Sequence, residues 1–130
     1  MSREIKFRAY FPGNKLMGNV TALYGSNSGY IFHSVTAECF EDGRQQFYSA
    51  DNFILLQFTG LKDKNGVDIY EGDIVVNGLS GTWIVQPLEN GSMSLLGICK
   101  QYKDKVFDIS ALNYNREVIG NIHQHPDLVK

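Results

Sequence analysis

The chain has 130 residues, of which 43% are apolar and 20% charged, with a formal net charge of −2. That balance is globular and argues against a disordered chain or a generally basic nucleic-acid sleeve. No run approaches the roughly 18 apolar residues of a membrane span, and a chain this long buries roughly two-thirds of its unfolded surface.

Strand signals recur from the start. Ile5, Phe7 and Ala9 alternate with Lys6, Arg8 and Tyr10, a period of two that predicts a half-buried strand with the second set outward. Pro12-Gly13-Asn14 supplies turn chemistry, and Val20 to Tyr24 is a short strand running into an exposed loop, Gly25-Ser26-Asn27-Ser28-Gly29. Tyr30 to Phe40, rich in aromatic and β-branched residues, reads as a long strand. Glu41 to Arg44 then closes a hairpin with Gln46-Phe47-Tyr48.

Phe53 to Thr59 is nearly continuously apolar, as a buried strand would be. In Asp63-Lys64-Asn65-Gly66 the Asn-Gly pair predicts a hairpin, because both residues tolerate positive φ. Val67 to Tyr70 is the return strand, Glu71-Gly72-Asp73 a second tight corner with Gly72 at positive φ, and Ile74-Val75-Val76 a new strand. Thr82 to Val85 follows a turn at Gly78 to Gly81, and Pro87 ends that strand or places it at an edge. Met93 to Cys99, Val106 to Ile109 and Glu117 to His123 are further strands. Ser110 to Asn113 has room for one helical turn, and His125 to Leu128 for a short terminal one. Frequent short strands between turn signals predict an all-β barrel or roll.

The candidates for chemistry are few. Cys39 and Cys99 are isolated and read as buried thiols, with a disulfide between them left open. Met1 to Lys6 lacks the apolar run of a signal peptide, so a cytoplasmic protein is expected. His123 and His125, two apart on a strand, would face one side, but with His33 the only other histidine a zinc site lacks its remaining ligands. The expectation is that these rings cap an exposed C-terminal strand, with no metal and no cofactor. Asp63-x-Asn65-Gly66 resembles part of a calcium loop. With Gly66 at the sixth position, however, the first and twelfth fall on Leu61 and Gly72, neither a side-chain ligand. The carboxylates Asp68, Glu71 and Asp73 read as solvated turn residues. Lys100-Gln101-Tyr102-Lys103-Asp104-Lys105 interleaves cations with an aromatic, as a nucleic-acid contact does, and Lys6 and Arg8 could extend it. A solubilising loop is the simpler reading.

Three segments carry a resemblance. They are Glu4 to Tyr10; Gln57 to Gly66 running on through Ile69 to Val75; and Glu117 to Ile122 with Pro126 and Leu128 behind it. In this order they closely resemble the YopX family of phage and prophage proteins, over nearly the whole chain. The resemblance implies an all-β fold with an SH3-like barrel or roll and additional N-terminal strands. A single compact domain over residues 1–130 is expected, its SH3-like part at about 53–123. The resemblance brings no catalytic residues and a molecular role that is not established. The expected function is a phage-type accessory protein, a non-catalytic β module that binds a protein partner or itself. A nucleic-acid-binding module and a small enzyme are the alternatives. No membrane or small-molecule substrate is expected.

Within the shared block, Asn65, Gly66 and Gly72 are assigned to structural turns, with Ile69, Ile74 and Val76 as apolar packing. Lys62, Lys64 and Tyr70, taken as its exposed members, join Lys100, Tyr102, Lys103 and Lys105 as the candidate binding surface. A homo-oligomer is expected from 16 aromatic residues in a small chain, and from two segments, Tyr30 to Phe32 and Met93 to Cys99, that would be unguarded edges.

Overall fold

A computed structural model describes residues 6–25, 32–41, 44–77, 81–87, 93–97, 103, 105–108 and 116–129. Through them run eleven strands: β1 (Phe7–Phe11), β2 (Leu16–Gly25), β3 (Phe32–Glu41), β4 (Arg44–Ala50), β5 (Ile54–Lys62), β6 (Asp68–Tyr70), β7 (Asp73–Asn77), β8 (Thr82–Pro87), β9 (Met93–Gly97), β10 (Val106–Asp108) and β11 (Arg116–Asn121). A 3-10 turn follows at Pro126–Val129. The protein is all-β, as the period-two patterning predicts, and its sheets are antiparallel and open. The expected helical turn at Ser110 to Asn113 lies outside the described residues.

The described residues divide into two compact units, one up to Gln57 and the other from Phe58 onward, with the division falling inside β5. In the first unit the strand order is β4-β3-β2-β1-β5. One face of this sheet holds the core: Ala9, Phe11, Val35, Ala37 and Cys39, with Val20, Leu23 and Tyr48 packed around them. Phe11 and Tyr48 meet with ring centroids 4.6 Å apart, within the range of favourable tilted pairs. Cys39 is buried, as expected of it, whereas Cys99 lies outside the described residues. β1 is less simply amphipathic than its alternation predicts. Tyr10 is buried on the face opposite Ala9 and Phe11, and Arg8 is half-buried. The turn Pro12 to Lys15 is closed by Lys15 N–H donating to the Phe11 carbonyl at 2.8 Å.

In the second unit the order is β10-β9-β8-β7-β11, while the end of β5 pairs with β6. Ile69, Val75, Trp83, Val85 and Leu95 form its core, with Leu61 and Val118 packed against them. Ile74 is fully buried on the other side of β7, and Val75 rather than Val76 supplies the second fully buried apolar residue of that strand. β7 is therefore buried on both faces, which accounts for its unbroken apolar run.

Two expectations are corrected by the structure, and the choice left open at Pro87 is decided by strand order. Ile54 is exposed and Leu55 half-buried, so the apolar run in β5 is a two-faced strand and not a buried one. β8 lies between β7 and β9, so Pro87 ends an interior strand. β9 and β3 are likewise interior, so Met93 to Gly97 and the described Phe32 are not edges.

Gly18 shows how tightly the first core is drawn. It pairs with Ala9 on one side and Cys39 on the other. A Cβ built there would stand 2.6 Å from Cys39 Sγ and 3.0 Å from the Glu38 carbonyl oxygen. Gly18→Ala is expected to cost about 1–3 kcal/mol by overpacking. Removing the sulfur relieves the closest clash, so Gly18→Ala combined with Cys39→Ala should destabilise less than the two single changes summed. Urea unfolding of the four proteins checks this; simple additivity would refute the contact.

Candidate binding surface

The Asp63 to Gly66 turn is built by a side chain. The backbone closes it through Gly66 N–H to the Asp63 carbonyl at 3.0 Å and Asp63 N–H to the Val67 carbonyl at 2.8 Å. Gly66 takes φ +82°, while Asn65 is not in the left-handed region. The expected hairpin forms with only one of the pair at positive φ: a β-turn is followed by a single left-handed glycine, the three-residue hairpin solution. The Asp63 carboxylate is buried. Its Oδ1 accepts from Asn65 N–H at 2.8 Å and Val67 N–H at 2.9 Å, and its Oδ2 from Val118 N–H at 3.0 Å. The fragment that resembles a calcium loop thus uses its carboxylate on three backbone amides. Burial works to raise the Asp63 pKa. The donors Val118, Val67 and Asn65, helped by the Lys64 charge, outweigh it and hold the carboxyl below its ordinary value near 3.8.

The same device closes the next corner. Asp73 is fully buried, not solvated as expected, and its Oδ2 accepts from Tyr70 N–H at 2.8 Å across Glu71 and Gly72. Gly72 has φ +85°, as predicted. Its N–H donates to the Val85 carbonyl at 2.7 Å and its carbonyl accepts from Ile122 N–H at 2.9 Å, which ties the corner to β8 and to the end of β11. Upstream, three residues of β5 oppose one of β6 between the pairs Phe58↔Tyr70 and Lys62↔Asp68. Thr59 fills that irregularity: its hydroxyl donates to the Ile69 carbonyl at 2.7 Å and accepts from Leu61 N–H at 3.1 Å.

The candidate side chains are distributed unevenly around this frame. Lys62 is exposed and contacts Asp68 Oδ1 at 2.8 Å, and Lys64 lies 3.6 Å from Glu117 Oε2. Exposed pairs of this kind contribute about 0–1 kcal/mol. Tyr70, expected to be exposed, is 6% accessible and packs on Phe58 with centroids 5.6 Å apart. Its position beside the irregular β5–β6 pairing turns the ring inward, which local sequence does not reveal. Lys103 and Lys105 are exposed; Lys100 and Tyr102 lie outside the described residues.

His123 and His125 come after β11, so they do not share a strand face. His125 Nδ1 accepts from Asn121 N–H at 3.1 Å, a capping role like the one expected of it. Asn121 Oδ1 accepts from His123 N–H and Gln124 N–H at 3.1 and 2.8 Å. Among the described residues no group of three or more His, Cys, Asp or Glu is placed to share a metal ion. No helix among them is long and apolar enough to cross a membrane.

One surface feature escaped the sequence reading. β4 ends the sheet of the first unit, and Phe47 at its centre is 66% accessible, the most exposed large apolar side chain described. The signal was present in Gln45-Gln46-Phe47, polar residues flanking an aromatic, but the strand order that makes β4 an edge was not.

Likeness to other proteins extends along the whole chain. A family model described as YopX protein matches residues 6–130. A crystal structure of protein EF1440 from Enterococcus faecalis is 26% identical, with a TM-score of 0.65, over 99% of this chain and 100% of that one. No curated protein matches.

Two predictions follow from the turn chemistry. Because the folded Asp63 carboxyl titrates below 3.8, its contribution to stability is complete above that pH and is lost as pH falls through the lower folded-state value. Asp63→Asn leaves an amide N–H₂ facing one backbone donor, so it should cost about 1–3 kcal/mol at neutral pH. The difference in Tm from wild type should shrink once the pH drops below 3.8; a gap independent of pH would contradict the assignment. At Gly72 an added Cβ would stand 3.5 Å from His123 Nε2, ordinary contact, so the Cβ itself is opposed by backbone strain and not by a clash. Gly72→Val should lose about 1–3 kcal/mol by chemical unfolding, and an unchanged midpoint would dismiss it.

Proposed function

The chain belongs to the YopX family, and from that premise we propose that it is a phage- or prophage-type accessory protein, a non-catalytic β module that binds protein. The observation carrying this reading is the β4 edge, whose seven residues include one charge, at Arg44, and the exposed Phe47. An open edge offers backbone donors and acceptors to an added strand, and an exposed aromatic supplies the apolar anchor that such pairing uses. The carboxylates best placed for chemistry, Asp63 and Asp73, accept hydrogen bonds from backbone amides that hold turns, which favours binding over catalysis. An SH3-like origin for the second unit belongs to the same reading. Strands β7 to β10 pair in succession and β11 returns beside β7, the order that such a roll requires.

The competing nucleic-acid reading rests on Lys100, Lys103 and Lys105, of which Lys103 and Lys105 are exposed; Lys62 and Lys64 each face a carboxylate. Affinity purification of the tagged chain from phage-induced bacterial cells, with and without nuclease, separates the two. Protein partners that persist after nuclease are expected. Recovery that nuclease abolishes, with binding that falls steeply as salt rises, would replace this reading with nucleic-acid binding.

A further inference from the structure

The described sheet ends differ in how they are guarded. β6 and β10 have three residues each. β11 carries Arg116 and Glu117 and a register shift between Val118 and Gly120. Short length, charge and bulges all discourage a further strand. Of these protections β4 has only a single charge, Arg44 at its first residue. It pairs with β3 through seven consecutive residues without a shift, from Glu41↔Arg44 to Val35↔Ala50, and contains no lysine or proline.

Resting on the proposed edge-binding role, we infer that the occupant of the β4 edge is a second copy of this chain, added antiparallel about a two-fold axis at Phe47. Phe47 is the middle residue of Arg44–Ala50. A two-fold axis there sets Phe47 opposite its own copy, so the two most exposed rings cover each other. The same register places Gln45 opposite Ser49 and Gln46 opposite Tyr48, uncharged pairs able to share a strand face. Like charge does not oppose it. The two Arg44 side chains fall six residue steps apart, about 20 Å at strand rise, well beyond the screening length of about 8 Å. A different protein would have to bring its own aromatic to this register, whereas a second copy brings it by symmetry. Seven pairs and two rings lie at the small end of specific interfaces, so the association is concentration-dependent.

Light scattering behind a sizing column is the first measurement, across about a hundredfold range of micromolar concentration. The mass of the wild-type chain should rise from 14.6 kDa towards twice that value, and Phe47→Glu should hold it at one chain. Phe47 is mostly exposed, so the variant should keep its circular dichroism and Tm, which verifies that folding is intact. Register is read by oxidative cross-linking in a Cys99→Ser background. Directly opposed residues have Cα atoms about 4.5–5.5 Å apart, within disulfide reach, so Phe47→Cys should give a covalent dimer. Gln45→Cys, whose copies stand four residue steps apart, should not. A constant single-chain mass, a dimer that persists in Phe47→Glu, or equal cross-linking at both positions would each overturn the proposal. If the wild type is monomeric while Phe47→Glu still loses nuclease-resistant protein partners, self-pairing fails and the edge-binding role stands. If Phe47→Glu changes neither, both fail.

Discussion

A carboxylate withdrawn from water must be met by donors, and the second unit is arranged around two that are. Asp63 is met by three backbone N–H groups at 2.8–3.0 Å, each charge-assisted and worth more than a neutral hydrogen bond. Two of the donors are local and fix the turn. The third, from Val118, lies 55 residues away in sequence and fastens β11 to that turn. Lys64 N–H adds a backbone bond to the Arg116 carbonyl at 3.0 Å, and Arg116 Nε donates to the Lys62 carbonyl at 3.0 Å. The last strand is thereby held at the hairpin turn, and its pairing with β7 places Val118 against the core.

That arrangement gives a physical account of why the central and C-terminal segments carry the family resemblance together. Asp63 needs Val118; Gly72 needs Ile122; Asn121 satisfies the amides of His123 and Gln124 that follow it. Each of these residues acts on backbone groups, and backbone groups are present whatever the neighbouring side chains are. A block of this kind specifies a fold without specifying a ligand, because its polar atoms are already engaged. The first segment has a comparable internal task, since Phe7 to Tyr10 pair with Ile54 to Gln57 at the start of β5.

The exposed features are found elsewhere. In the first unit the core face of the sheet is tightly packed, down to a glycine where a Cβ would meet a sulfur atom, while the sheet ends in a strand with little to repel a neighbour. Rigid packing on one face and an open backbone at one edge are complementary. β4 pairs with β3 without a register shift, and an unbulged strand is the form that accepts another strand.

The sequence by itself determined the element types and the turns. Alternation in Phe7 to Phe11, the Asp63 to Gly66 turn, the corner at Gly72 and the apolar strand Ile74 to Val76 are local signals, set by side-chain direction and by φ preferences within a few residues. They place nearly every described strand. Tertiary structure alone decided which strands are interior and which side chains are covered. Tyr70 and Asp73 are buried because β6 and β7 lie within the second unit's packing. β9 is interior and β4 an edge because of pairings made across the chain. Strand order depends on non-local hydrogen bonds between backbone groups that every residue possesses, so the candidate surface at Phe47 was legible as an aromatic in a strand but not as an edge.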